Sequence, residues 1–138
     1  MTKEELALIA TDARKNAYAP FSHFKVGAAL LLKGGVIITG SNVENSSYGL
    51  CNCAERSSLF AAYSQGYRQD DILMMAISAD TDGPVSPCGA CRQVMSELLN
   101  KGTPVILTNC KGDIMETTPE ALLPYAFSGD DLDWKADL

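Results

Sequence analysis

At 138 residues the chain is long enough for one domain, residues 1–138, that buries roughly two thirds of the surface its unfolded form exposes. Hydrophobic residues at 46% and charged residues at 20% are ordinary globular values. A net charge of −6 with no run of Lys or Arg argues against nucleic-acid binding, which draws most of its affinity from phosphate neutralisation, and favours a small substrate without phosphate.

Five cysteines, an odd number, fit a disulfide framework badly. With no apolar signal segment at the start, they point to a reducing, cytoplasmic compartment. No apolar run approaches the ~18 residues of a membrane span.

In chain order, Thr2 and Glu5 form a capping box, and Leu6, Ile9, Ala10, Ala13 and Ala17 recur at helical spacing, so a first helix should end before Pro20. Residues 21–28 lead into an apolar run at 28–32. Gly34-Gly35 then separates it from a second β-prone run at 36–40, the pattern of a hairpin with a primed turn. The alternation through residues 41–45 either extends that second strand or leaves it. A second helix is predicted over residues 54–65, stopped by Gly66. Ile72–Ala79 is nearly all apolar, as a strand buried on both faces should be. Cys91, Val94, Met95, Leu98 and Leu99 make the stripe of a third helix, stopped by Gly102 and Pro104. Strands follow at 105–108 and 114–117, then a short helix opening at Thr118-Pro119-Glu120 and ending near Pro124. The acidic tail from Ser128 should be loosely held or packed against a partner. Residues 109–113 are too few for a parallel crossover, so the last two strands should pair antiparallel. The expected fold is a three-layer α/β/α domain with a mixed five-stranded sheet.

Three thiols and one carboxylate stand out of this pattern, in Cys53-Ala54-Glu55-Arg56 and in Pro87-Cys88-Gly89-Ala90-Cys91-Arg92-Gln93. Catalytic zinc takes three protein ligands and keeps a fourth position for water. Cys53, Cys88 and Cys91 supply three thiolates, and Glu55 is left over as a general acid/base, the signature of zinc deaminases in its three-cysteine form. Cys88 and Cys91 share a face of a helical turn. Cys53 and Glu55, two apart, would diverge inside a helix, so Cys53 should sit at the edge of the second helix, where non-helical dihedrals let both side chains converge. Both cysteine motifs then meet helix N-termini, where thiolate is favoured over thiol. Three thiolates leave a bound zinc with surplus negative charge. Arg56 and Arg92 could donate to the sulfurs, and Arg56 is expected to offset part of that charge.

With these motifs in place, the chain resembles the small, homotetrameric, zinc-dependent cytidine deaminases. The resemblance runs through Phe24-Lys25-Val26-Gly27-Ala28-Ala29-Leu30, Asn42-Val43-Glu44-Asn45, Ser47-Tyr48-Gly49 and the two cysteine motifs. It implies hydrolytic deamination of cytidine and deoxycytidine for pyrimidine salvage, one zinc per chain, and a tetramer with shared active sites. It places Asn42 and Glu44 on the ribose hydroxyls, with Val43 between them among the substrate-binding positions. It stacks Phe24 on the pyrimidine and reads the base edge with backbone at Ala54 and Cys88. Tyr48 and Phe127 are the implied contacts across subunits.

Blander readings compete at several positions. A closed structural zinc site could recruit Cys51 as a fourth ligand, but it leaves Glu55 unexplained. Cys51 and Cys110 read as small buried hydrophobes, His23 as a loop or packing residue rather than a ligand, and Met74-Met75 as core. Other functions are deamination of another aminopyrimidine nucleoside such as blasticidin S, and a non-enzymatic zinc-stabilised binding module. A nucleotide or polynucleotide substrate is opposed by the negative charge and by the short link between the last two strands.

Overall fold

A computed structural model describes residues 1–132. Five strands, β1 (Val26–Leu32), β2 (Ile37–Ser41), β3 (Ile72–Ala79), β4 (Val105–Asn109) and β5 (Ile114–Thr117), form one sheet in the order β2-β1-β3-β4-β5. β3 and β4 run parallel; every other neighbouring pair is antiparallel, including β4 with β5 as the five-residue link requires. Helices α1 (Lys3–Ala13), α2 (Ala54–Ser64), α3 (Gly89–Leu98) and α4 (Pro119–Leu122) complete the described elements. Among the described residues no helix is long and apolar enough to cross a membrane.

The sheet separates two cores. Leu6, Ala7 and Ala10 of α1 pack on Ala29, Ala76 and Ile106 on one face. Leu59 and Ala62 of α2, with Met95 of α3, pack on Leu30, Met75, Ile77, Val105 and Leu107 on the other. Successive strand residues point to opposite faces, so Met75 and Ala76 serve different cores. The three-layer α/β/α architecture is therefore observed. In β3 only Leu73 is exposed and Met74 half-buried, which agrees with its near-continuous apolar run.

Local signals account for most element ends. The Glu5 N–H donates to the Thr2 hydroxyl at 3.1 Å, capping α1. The turn between β1 and β2 spans residues 33–35, closed by the Leu32 N–H donating to the Val36 carbonyl at 2.9 Å, with Gly34 and Gly35 both at positive φ; it is one residue longer than a two-residue primed turn. α2 stops at Gly66, whose φ is 95°. Ala17, by contrast, lies beyond α1 in extended backbone. The reason is tertiary: the Tyr18 N–H donates to the Asn42 carbonyl at 2.9 Å, and Tyr18 accepts from the Glu44 N–H at 2.8 Å. That bridge draws the chain off the helix, and it also ends β2 at Ser41. The expectation for the tail is testable only to Leu132; a capped turn occupies Gly129–Asp131, and residues 133–138 lie outside the described residues.

Two glycines let helices lie directly on strands. A Cβ at Gly27 would overlap the Ala10 carbonyl of α1, and one at Gly40 would sit 2.5 Å from the Ser58 nitrogen and 2.6 Å from the Ala54 oxygen of α2. Both obstacles are backbone, which cannot swing aside. Gly40→Ala is therefore expected to destabilise the protein by about 2 kcal/mol or more, read as a lowered melting temperature by circular dichroism; an unchanged melt would refute the close-approach account.

Candidate functional site

Chain direction brings the site together. The register Val26↔Ala79 and Gly27↔Ser41 sets the start of β1, the end of β2 and the end of β3 at one end of the sheet. α2 returns the chain to the start of β3, so α2 begins at that same end, and α3 begins there because it follows β3. Two helix N-termini and three strand ends thus surround one place.

Cys53 and Cys88 are the N-cap residues of α2 and α3, both in extended backbone, with φ/ψ of −78°/157° and −70°/168°. That is the non-helical geometry the Cys53/Glu55 spacing demanded. Cys91 follows one turn into α3 and is fully buried. The sulfurs of Cys53, Cys88 and Cys91 all lie within 4.8 Å of one another. The Arg56 guanidinium donates from Nη2 to the Cys53 sulfur at 3.3 Å. Cys53 is pulled down to about 5 by hydrogen bonding from Cys91 and by Arg56 beside it. Cys91 is pushed up by the same contact with Cys53 and by burial. Arg56 in turn is held more firmly protonated by the Cys53 sulfur.

Glu55 lies in the first turn of α2 and is 3% exposed. Its Oε1 is buried without a hydrogen-bond partner among the described residues. Burial, and then the Cys53 charge, raise its pKa above the usual carboxylate range. An orphaned buried oxygen normally costs about 1–3 kcal/mol, so its presence beside three thiols points to a partner that arrives with the chemistry. These residues fit a zinc ion: three soft sulfur ligands converge, and Glu55 stands next to them outside the cluster. Cys51 is not a member, which removes the closed four-cysteine site.

The thiols open into a cleft of about 260 Å³ whose walls include Phe24, Asn42, Glu44, Cys53, Glu55 and Cys88. Phe24 is 44% exposed, available for stacking rather than spent in the core. Asn42 Oδ1 accepts the Val26 N–H at 2.8 Å and Nδ2 donates to the Phe24 carbonyl at 2.8 Å, leaving one further N–H on the amide. Glu44 reaches the same wall from two residues along. Val43 is not among the residues lining the cleft, and its N–H and C=O are both paired with Asn52. Ala54, first residue of α2, carries an N–H with no intrahelical acceptor.

Other expectations meet corrections. Arg92 does not reach the sulfurs: Nε donates to the Pro87 carbonyl at 2.9 Å and Nη1 to the Leu122 carbonyl at 3.0 Å. These two carbonyls hold the guanidinium between the start of α3 and the end of α4. Cys51 is half-buried rather than buried, bonded to the backbone of Asn45. Cys110 is exposed and accepts from Arg14 Nη1 at 2.9 Å. His23 is indeed in a loop, at φ 58°. Tyr48 and Phe127 are exposed. Sequence reasoning missed Ser22, Asn52, Val85 and Ser86 on the cleft wall; only Ser22 carried a signal, its closeness to Phe24.

Each of Cys53→Ser, Cys88→Ser and Cys91→Ser is expected to lower zinc content from about one per chain, whereas Cys110→Ser should leave it unchanged. Elemental analysis of the purified proteins decides; full zinc in any of the first three would remove that residue from the ligand set.

Residues 1–107 match the family described as the cytidine and deoxycytidylate deaminase zinc-binding region. The chain is 54% identical over 132 residues to a cytidine deaminase of Halalkalibacterium halodurans, covering 96% of this chain and 98% of that one. It is 54% identical over 137 residues to a cytidine deaminase of Sporosarcina psychrophila, covering 99% of each. Among solved structures it is similar to cytidine deaminase from Burkholderia pseudomallei, with a TM-score of 0.89 and 53% identity over 92% of this chain and all of that one. With the three-thiol cluster, the buried glutamate and this agreement along nearly the whole chain, the protein belongs to the zinc-binding cytidine and deoxycytidylate deaminase family.

Proposed function

We propose that this chain is a single-domain cytidine deaminase that converts cytidine and deoxycytidine to uridine and deoxyuridine with release of ammonia. The observation that carries the reading is the unpartnered, buried Oε1 of Glu55 next to three thiols, at the floor of a cleft with Phe24, Asn42 and Glu44 on its wall.

Cys53, Cys88 and Cys91 hold the zinc, which when bound supplies the Lewis acidity that makes a water nucleophilic near neutral pH. Glu55 takes one proton from the attacking water and passes it to the ring nitrogen beside the amine-bearing carbon, then takes the second from the newly formed hydroxyl and gives it to the departing amine. The balance is one water consumed, one carbon–nitrogen bond broken and one carbon–oxygen bond made. A carboxylate whose pKa is raised by burial is a stronger base than one in water, which suits this shuttle. Arg56 steadies the Cys53 thiolate and offsets part of the charge of the sulfur cluster.

Phe24 stacks on the pyrimidine, and the N–H groups at the starts of α2 and α3, at Ala54 and Cys88, meet the base edge. Asn42 and Glu44 bind the sugar hydroxyls, and Val43 sets the spacing that puts both on one wall. Among the described residues no basic side chain lines the cleft, which favours a nucleoside over its phosphate. The enzyme works as a homotetramer, in the cytoplasm, in pyrimidine salvage; exposed Tyr48, Leu50 and Phe127 supply apolar surface for neighbouring subunits.

Glu55→Gln is expected to fold, keep its zinc and lose roughly 10²–10⁴-fold in turnover, followed by loss of absorbance when cytidine is added, with cytidine monophosphate and blasticidin S as comparison substrates. Activity near wild type would break the mechanism. Sedimentation of the purified enzyme is expected to give a tetramer; an active monomer would end the shared-site reading.

A further inference from the structure

The Glu44 carboxylate is held from three directions by a loop that precedes β1. Its Oε1 accepts the Phe21 N–H at 3.0 Å and the Ser22 N–H at 3.1 Å, and its Oε2 accepts the Ser22 hydroxyl. The same hydroxyl accepts the Phe24 N–H at 3.0 Å. A hydroxyl has one proton to give and lone pairs to receive, so Ser22 uses it in both directions. His23, at φ 58° and with its N–H on the Ala19 carbonyl at 3.0 Å, turns the loop so that this is possible. The backbone of Glu44 is anchored on the other side by Tyr18.

We infer that Ser22 is a positioning residue of the cleft: its hydroxyl orients the Glu44 carboxylate toward the sugar hydroxyls and ties it to Phe24, against which the base stacks. This rests on the sugar-binding reading of Glu44. Ser22 is exposed and lies on the cleft wall, so the bond does not serve the core. A glutamate on an open wall otherwise has several rotamers to lose on binding. Three donors remove that freedom in advance, and such preorganisation improves binding without adding a contact. The same bonds hold Glu44 below the ordinary carboxylate range, the Ser22 hydroxyl first among them, so it meets the sugar as an acceptor. One hydroxyl thereby sets the position of the sugar acceptor relative to the base platform.

The test compares zinc-loaded wild type, Ser22→Ala, Ser22→Thr and Glu44→Gln on cytidine and on 2′,3′-dideoxycytidine, which lacks the hydroxyls in question. Ser22→Ala should raise KM for cytidine about fivefold and change kcat by less than about twofold. Its KM for the dideoxynucleoside should stay within about twofold of wild type. Ser22→Thr keeps the hydroxyl and should recover most of the loss. An equal change for both nucleosides would make Ser22 loop glue and overturn the inference. So would an unchanged cytidine KM in Ser22→Ala while Glu44→Gln raises it. A silent Glu44→Gln would sink the sugar-site reading and this inference together, and the turnover recorded in the same assay reports on the deaminase reading separately.

Discussion

Glu55 is held inside the protein with one oxygen that no donor among the described residues reaches, beside three sulfurs of which the Cys53 thiolate opposes its ionisation. An isolated domain gains nothing from such a cluster, because burying carboxylate and thiolate together costs free energy unless opposite charge is close. The fold answers with what it has nearby. Two helix N-termini point at the cluster, Arg56 donates to Cys53, and the three sulfurs are left converging on a position that suits zinc. The rest of the structure can be understood as the scaffold that keeps these groups from relaxing apart.

That scaffold works through close contacts. Gly40 brings β2 against the backbone of α2 near its start, within a turn of Cys53 and Glu55, and Gly27 does the same for β1 and α1. β3 runs through the middle of the sheet and delivers the chain to the Cys88 motif, with both faces buried along most of its length. α3 is locked to the layer below by Met95 and Leu99. Cys53 and Cys88 hang from separate helices on one core, so their separation is set by packing rather than by local sequence. Interiors at near-crystalline density allow little drift in that separation.

The opposite wall is built differently. Asn42, Val43 and Glu44 continue from β2 but leave the sheet to bridge Tyr18 on one side and Asn52 on the other. The side chains of Asn42 and Glu44 are then fixed by polar contacts with the first residue of β1 and the segment before it. Asn42 is spent partly on the backbone of Phe24 and Val26, and Glu44 on Phe21 and Ser22. The thiol side of the cleft is thus rigid by packing, and the opposite wall by hydrogen bonds that water can contest.

Much of this was legible in the chain because it depends on neighbours in sequence. The Thr2 cap, the Gly34-Gly35 turn, the stop at Gly66 and the limits of Ile72–Ala79 follow from propensities that act over a few residues. Residues 109–113 dictated an antiparallel pair simply by being too few to cross over. The two-residue gap between Cys53 and Glu55 required non-helical dihedrals at Cys53, and the residue caps α2 in extended backbone. Ligand types, the acid and the family likeness are likewise properties of side-chain identity and spacing. What the sequence could not hold is anything that turns on which distant group arrives first at a donor. Ala17 leaves α1 because Tyr18 is claimed by residues 42–44; Arg92 is claimed by Leu122, thirty positions on; Cys110 meets Arg14 from the far end of the chain. Ser22 is bound to Glu44 across 22 positions, with no local signature beyond its closeness to Phe24. Chemistry was written in the residues themselves, and the partners of its polar groups were decided only when the sheet brought its strand ends together.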